Sequence, residues 1–341
     1  MAALATAIAN IYEPALWSKY FLEMNTEKNQ LVQSGIAGTS PEISDAASQG
    51  GRTVTMPFWD DLSHDTAATD RSKVATDTDA LLTPHGLTTG EDIAVKHFRT
   101  QSFSVASIVK YVAGSDPAQI VVSRFSNWWI REEQRMLMKT LFGIFQDSTL
   151  ATVLSNDISG EVATTDAAKL IGMQAIEDTR FLLGDAYDKF TAIIMHSVCF
   201  KRLRMLDLID DLPESSQDPK LPYYMGLRVI VDDNMTKVAG STSGYHYYSY
   251  LFGAGAIARQ DIPLTSGDTE MELYRQPLKG TGAGQVDVIT RRYFLLHPRG
   301  ISYTGSLAGV VSPSDADLIA DNWTQAFLTK NLRIARLITN G

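Results

Sequence analysis

Apolar residues recur most regularly between positions 121 and 143. Val121, Val122, Phe125, Trp128, Trp129, Met136 and Gly143 stand at helical steps and share one side. Asp116 is a good N-cap, and Pro117 occupies the first helical position, where its missing N–H costs nothing. The spacing predicts a helix from Asp116 to about Asp147. At 1.5 Å per residue, roughly 30 residues reach about 45 Å, longer than an ordinary globular helix. Glu132 and Lys139 interrupt the apolar side, and Arg124, Arg131 and Arg135 fall outside it.

Before this helix the period is two. Thr53 to Trp59 alternates like a strand, and so does Ala94 to Tyr111. Between them runs an excursion rich in Asp, Thr and Ser, with Asp60, Asp61, Asp65, Asp70, Asp77 and Asp79. An excursion this long inside a compact domain is unusual and usually functional. Its charge and lack of core residues predict that it takes up order only against a neighbour. Residues 1 to about 50 mix a short helical pattern (Leu16, Trp17, Phe21) with a polar stretch and read as an arm.

After the long helix a second is predicted from Asp166 to Leu183, capped by Thr165 and stopped by Gly184. Phe190 to Met195 reads as a buried strand, and Ser197 as the cap of a short helix through Phe200, Leu203 and Leu206. Another strand surrounds Leu227 to Val231. Residues 245–306 are strand-rich, with Asp287 to His297 the clearest element and turns at Gly253–Gly255 and Gly280–Gly284. From Pro313 the pattern predicts a short helix carrying Trp323 and Phe327, then a last strand from Leu332 to Ile338. No internal repeat is visible.

Composition narrows the class. The 341 residues suggest roughly two domains at about 150 residues each. A hydrophobic content of 44% excludes a disordered chain. The single cysteine excludes an internal disulfide framework and any CxxC zinc or redox site. A net charge of −9, from 30 Lys+Arg against 39 Asp+Glu, argues against a surface built to grip nucleic acid. The N-terminal stretch, broken by Glu13 and Pro14, does not read as a secretory signal. Apolar runs such as Phe190–Met195 fall far short of the roughly 20 residues that span a bilayer. The chain therefore reads as soluble, made in the cytosol, with no membrane partner.

Candidate chemistry is sparse. Lys279-Gly280-Thr281-Gly282-Ala283-Gly284 looks like a phosphate-cradling loop, but such loops need a helix N-terminus after them, and here a strand follows. A hairpin turn is the better reading, and Gly253-Ala254-Gly255 fails the same test. Cys199 stands three residues after His196 near a strand-to-helix turn; a nucleophile there would need a lowered pKa, whereas a lone cysteine is most often buried. Histidines 64, 85, 97, 196, 246 and 297 form no sequence-local zinc pair, and Asp77-Thr78-Asp79 lacks the rest of a calcium loop. Lys201, Arg202 and Arg204 read as a solvated helix face. Trp128-Trp129 and Tyr245-His246-Tyr247-Tyr248 could stack on bases, but the Trp pair lies on the apolar helix face and reads as packing. No catalytic, cofactor or metal residue emerges.

A family resemblance brings these features together. Gly114-Ser115-Asp116-Pro117, then Trp129, Gln134 and Leu141-Phe142-Gly143-Ile144-Phe145, resemble the spine-helix region of tailed-phage major capsid proteins of the HK97-like fold. Val54 to Asp61 resembles the start of their extended loop. Asn322-Trp323 followed by Lys330-Asn331-Leu332-Arg333-Ile334 resembles their closing strand. The resemblance covers nearly the whole chain. It implies an α+β fold with an arm (1–50), an extended β-hairpin loop (51–112), a peripheral domain with the spine helix (113–185), an axial domain with a central β-sheet (186–310) and a return to the peripheral domain (311–341).

The implied function is self-assembly, in the host cytoplasm, of the icosahedral shell of a virion around packaged double-stranded DNA, without catalysis or a cofactor. The implied partners are the chain itself as pentamers and hexamers, a separate scaffolding protein, a portal and a decoration protein, with no sequence-specific DNA binding. Trp17, Trp59, Asp60, Asp61, Arg71, Lys73, Arg124, Arg131 and Arg135 are then candidates for contacts between subunits, and Phe125, Trp128, Trp129 and Met136 for packing of the spine helix.

Two departures stand out. The chain reaches the arm at once, so no leading scaffolding segment is expected. Lys73 has no matching Asn or assisting acid for a covalent cross-link, so none is expected. Two other functions stay open: a compartment shell of the encapsulin type, and an α/β enzyme using Cys199. A surface-layer or adhesin protein is disfavoured by the lack of a signal.

Overall fold

The computed structural model describes residues 37–38, 50–61, 86–109, 117–164, 166–212, 221–264 and 269–341. The predicted arm, except for 37–38, lies outside them, as do residues 62–85 of the excursion and the caps Asp116 and Thr165.

Two sheets are joined by one helix. The first sheet runs β1 (Ala37–Gly38), β11 (Ile257–Asp261), β13 (Gln285–Pro298), β3 (Thr89–Ala106) and β2 (Thr53–Trp59), with β12 (Met271–Gln276) on the first half of β13. The second runs β4 (Ser155–Asp157), β16 (Ile334–Thr339), β10 (Tyr245–Gly253), β5 (Phe190–Met195), β8 (Leu227–Val231), β7 (Leu221–Tyr224) and β6 (Asp210–Leu212), with β9 (Lys237–Ala239) on β10. A small ribbon pairs β14 (Ile301–Tyr303) with β15 (Trp323–Gln325). All six residues of β16 are buried, as are Ala192 to Met195 of β5. A strand covered on both faces reads as a continuous apolar run rather than an alternation.

The long helix, α1 (Pro117–Ile144), is 28 residues long. It lies along β13, and their spacings match. Phe125 clusters with Val288, Trp129 Nε1 donates to Thr290 Oγ1 (3.0 Å), and Glu133 pairs with Arg292. Four helical residues advance about 6 Å and two strand residues about 6.7 Å, so partners stay level over two turns. Beyond Glu133 the helix enters the core of the second sheet, where Met136, Leu137, Met138, Leu141, Ile144 and Phe145 are buried. Gly143 permits the closest approach: a Cβ there would sit 1.9 Å from the carbonyl oxygen of Leu318 in α5 (Asp315–Ile319). Asp147, expected at the end of α1, instead caps α2 (Ser148–Val153), accepting from Thr149 N at 2.6 Å.

Three local expectations need correction. The helix predicted from 166 to 183 is broken. A 3-10 turn (Ala167–Lys169) is followed by an extended stretch, then α3 (Met173–Arg180), then a 3-10 segment (Phe181–Lys189) kinked at Gly184 with φ 61°. The break places Ile171, fully buried, in the core, and its N–H bonds the carbonyl of Gly341 (3.3 Å). The cap of α4 (Ser197–Met205) is His196, whose Nδ1 accepts from Val198 N (3.2 Å), not Ser197. The tail helix ends at Ile319; Trp323 lies on β15, buried against Tyr303, and Phe327 follows in a loop.

The range 186–310, grouped as one axial unit from the sequence, is shared between the sheets. β5, β8 and β10 lie in the second, while β11, β12 and β13 ladder onto the first. The last strand, β16, joins the second sheet beside β10.

Candidate assembly surfaces

β3 ties the hairpin to the body. Its first half pairs with β2 from Thr89↔Trp59 to Val95↔Thr53, and its second half with β13. Two serines clip it to the chain beyond β13. Ser302 Oγ accepts from Ile93 N and donates to Glu91 O, both at 3.1 Å. Ser312 Oγ accepts from Phe98 N and donates to Lys96 O, both at 3.3 Å. Each serine satisfies a backbone donor and acceptor that a neighbouring strand would otherwise occupy. Phe58 of β2 meets Phe327 edge-on at 4.7 Å, and Gly90 leaves room for the Phe58 ring.

Toward its end the ladder emerges into solvent. Trp59 is 70% exposed, a rare state for a tryptophan in a folded chain. One step on, Asp60 Oδ2 accepts from Thr88 Oγ1 (2.8 Å) and Asp60 N donates to Thr88 O (3.1 Å), so the two chains stay paired past Trp59. Asp61 is exposed. Trp17, Arg71 and Lys73 lie outside the described residues.

On α1 the expected residues divide by side. Phe125, Trp129 and Met136 are buried. Trp128 is half-buried at the edge, its ring against Trp129 (4.8 Å) and Phe103 (6.3 Å). Arg124, Arg131 and Arg135 are exposed. Arg135 pairs with Glu132 and with Asp315 (3.1 Å), and Asp315 also takes Lys139 (2.5 Å). Burial would raise the Asp315 carboxyl, but Lys139 and Arg135 outweigh it and hold it below the usual range.

A charged group missed from the sequence lies beneath the helix. Glu133 is paired with Arg259 and, at 3.4 Å, with Arg292. Both arginines also reach Asp261 (3.3 and 3.2 Å). Burial pulls the Arg259 guanidinium down, but the Glu133 and Asp261 carboxylates hold it above its ordinary value. The two carboxylates and two guanidiniums balance each other in charge. The available signal was a glutamate beside the apolar side of a helix, with no hint of its partners.

The candidate chemical sites become structural. Cys199 is fully buried, with Thr339 Oγ1 at 4.0 Å, and burial pushes its thiol up to about 11, opposite to what a nucleophile needs. His196 spends its Nδ1 on the helix cap. Neither feature supports the alternative of an enzyme using Cys199. Lys279–Gly284 closes the β12–β13 hairpin, with Gly280, Gly282 and Gly284 at positive φ. Arg202 donates to Ile171 O (2.9 Å), and the Arg204 guanidinium lies over the Phe200 ring. Tyr247 and Tyr248 pack on His196 and Phe142. Among the described residues no three His, Cys, Asp or Glu side chains gather as metal ligands, and no helix is long and apolar enough to cross a membrane.

A long helix along a sheet, a clipped two-stranded ladder at that sheet's edge and a second, mostly antiparallel sheet define the architecture of phage capsid subunits. The fold matches the capsid of Ralstonia phage GP4 with a TM-score of 0.60, at 10% identity over 91% of this chain and 90% of that one. It matches the capsid subunit of cyanophage Pam1 with a TM-score of 0.53, at 11% identity over 87% of each. No family model matches the sequence. The major capsid protein of Bacillus phage SPP1 is 32% identical over 334 residues, 97% of this chain and 97% of that protein. The chain belongs to the major capsid proteins of tailed phages, with the HK97-like fold; it builds the icosahedral head, and its place is the virion.

Proposed function

We propose that the chain closes its shell by laying the hairpin begun by β2 and β3, with residues 60–88, over a neighbouring copy. The observation that carries this is Trp59: a large apolar ring at the end of a clipped ladder, 70% exposed in the single chain. Trp17, Asp60, Asp61, Arg71, Lys73, Arg124, Arg131 and Arg135 complete the proposed contacts. Arg124 and Arg131 lie one heptad apart on the exposed side of α1, without an ion pair among the described residues, and suit the acidic excursion of another copy.

The division proposed for the shell keeps an arm (1–50) and an extended loop (51–112). The spine helix goes with the first sheet, because β13, which carries β11 and β12, ladders onto β3, and the second sheet forms the axial body. Copies assemble as pentamers and hexamers in the host cytoplasm, with a separate scaffolding protein, a portal and a decoration protein. The role is structural and not enzymatic. Double-stranded DNA is enclosed without base readout, which suits a subunit of charge −9, since strong phosphate binding would compete with assembly. Closed shells repeat heterologous contacts until rotation closes them. Projecting arms and loops enlarge those contacts toward the roughly 2,000–5,000 Å² of permanent interfaces without enlarging the core.

Replacing residues 62–85 with a short turn tests the reading. The expected variant is a folded subunit that unfolds cooperatively and forms no shell. Normal shells from it would refute the role given to the loop.

A further inference from the structure

Gly90, Asp92 and Ala94 follow one another on the inward side of β3, so a carboxylate occupies an apolar position. Asp92 is 3% exposed. His297 Nε2 lies 2.9 Å from its Oδ1, and since an ionised carboxylate only accepts, the ring N–H donates. The backbone N–H of Gly300 donates to Oδ2 at 2.9 Å. Ser302 Oγ lies 3.4 Å from Oδ1, sharing its single proton with the nearer carbonyl of Glu91. One buried carboxylate thus gathers three groups, from the end of β13, the turn after it and β14.

Its place on the ladder is what matters. Asp92 faces Met56, midway along the β2–β3 pairing. Three residues further the ladder ends at Thr89 and Trp59, about 10 Å away at 3.3–3.4 Å per residue. Residues 60–88 connect the two strands beyond that point, so the direction of the ladder at Asp92 is the direction in which the chain leaves it. Other side-chain ties at this level are the neutral Ser302 clip, the Phe58–Phe327 contact and the packing of Met56 on Val54, Ala94, Ala258 and Leu295. A charge-assisted bond is stronger and more directional than any of these.

We propose that Asp92, held by His297 and the Gly300–Ser302 corner, is a positioning residue that fixes the angle at which the extended hairpin leaves the body, and so sets the curvature of the shell. This rests on the reading of the hairpin as the contact between copies. A shell of one diameter, built from copies in pentamers and hexamers, needs the hairpin angle kept within a narrow range, and loss of the charge widens that range.

The test compares particles from the full chain by negative-stain microscopy, with denaturation midpoints measured alongside. Asp92→Asn keeps the shape and removes the charge. Leu203→Ala opens a cavity in the core of the second sheet and serves as a control for lost stability alone. The expected result is open sheets or particles of several diameters from Asp92→Asn, and a single wild-type diameter from Leu203→Ala. A single wild-type diameter from Asp92→Asn overturns the proposal, and so do mixed diameters from both variants. If Asp92→Asn does not fold, Asp92→Leu combined with His297→Phe, which removes the pair and leaves the Ser302 clip to Ile93 and Glu91, is read by the same criterion. If shells of wild-type diameter form when residues 62–85 are replaced by a short turn, the reading of the hairpin as the contact between copies fails instead.

Discussion

His97 is fully buried, its ring 5.4 Å from Phe294, with Arg99 on its own strand and His297 on β13 nearby. Burial, and then the Arg99 and His297 charges, pull it from its ordinary 6.5 to about 3. The native ring is therefore neutral in a range where the unfolded ring is protonated. Between those two values the unfolded chain binds more protons, so this stabilisation is whole above pH 6.5 and is lost as the pH falls. For one group the slope is at most about 1.4 kcal/mol per pH unit. Asp92 and Asp315 are held below the carboxylate range, and their contribution is lost only at more acid pH. Urea titrations of the unassembled chain at pH 7, 6 and 5 are predicted to show falling stability, and His97→Phe to flatten the trend. A wild-type chain equally stable at pH 7 and 5 would contradict the account. Legibility at this scale followed chemistry. Phe125, Trp129 and Met136 could be read from their period, because burial of an apolar ring needs no particular partner. Asp92 and Glu133 could not, because their burial depends on His297, 205 residues away, and Arg259, 126 residues away.

At the scale of elements α1 organises the subunit, and Glu133 is the charged point of its seat on β11 and β13. Removing one member of a buried ion group leaves charges without compensation and costs about 3–5 kcal/mol. Glu133→Leu is predicted to lower the denaturant midpoint by that measure without changing the slope. Replacing Arg259 and Arg292 by Met in the same chain should restore much of the loss. An unchanged midpoint in Glu133→Leu would show that the ion group does not hold the helix. The elements read correctly from the sequence, α1, β5 and β13, are long or strongly patterned. The misread ones were decided by distant contacts. Ile171 leaves its helix to fill the core, and Trp323 leaves the tail helix to pack on Tyr303 beside Gly143. The cut between the sheets near Gly253 was not legible either, because strand order is a matter of pairing rather than of local pattern.

For the whole molecule, the acidic balance and the single cysteine limit what can harden the assembly. The lone thiol is buried in its own subunit, where it is not placed to reach a cysteine of another copy. The chain's most exposed tryptophan among the described residues lies where the hairpin leaves the body, which places the central claim in one side chain. Cryo-electron microscopy of particles assembled from the full chain tests it directly. The predicted result is a closed icosahedral shell in which Trp59 is buried against a second copy and the hairpin beyond it crosses that copy's surface. A closed shell in which Trp59 faces solvent and the hairpin touches no neighbour would contradict the account.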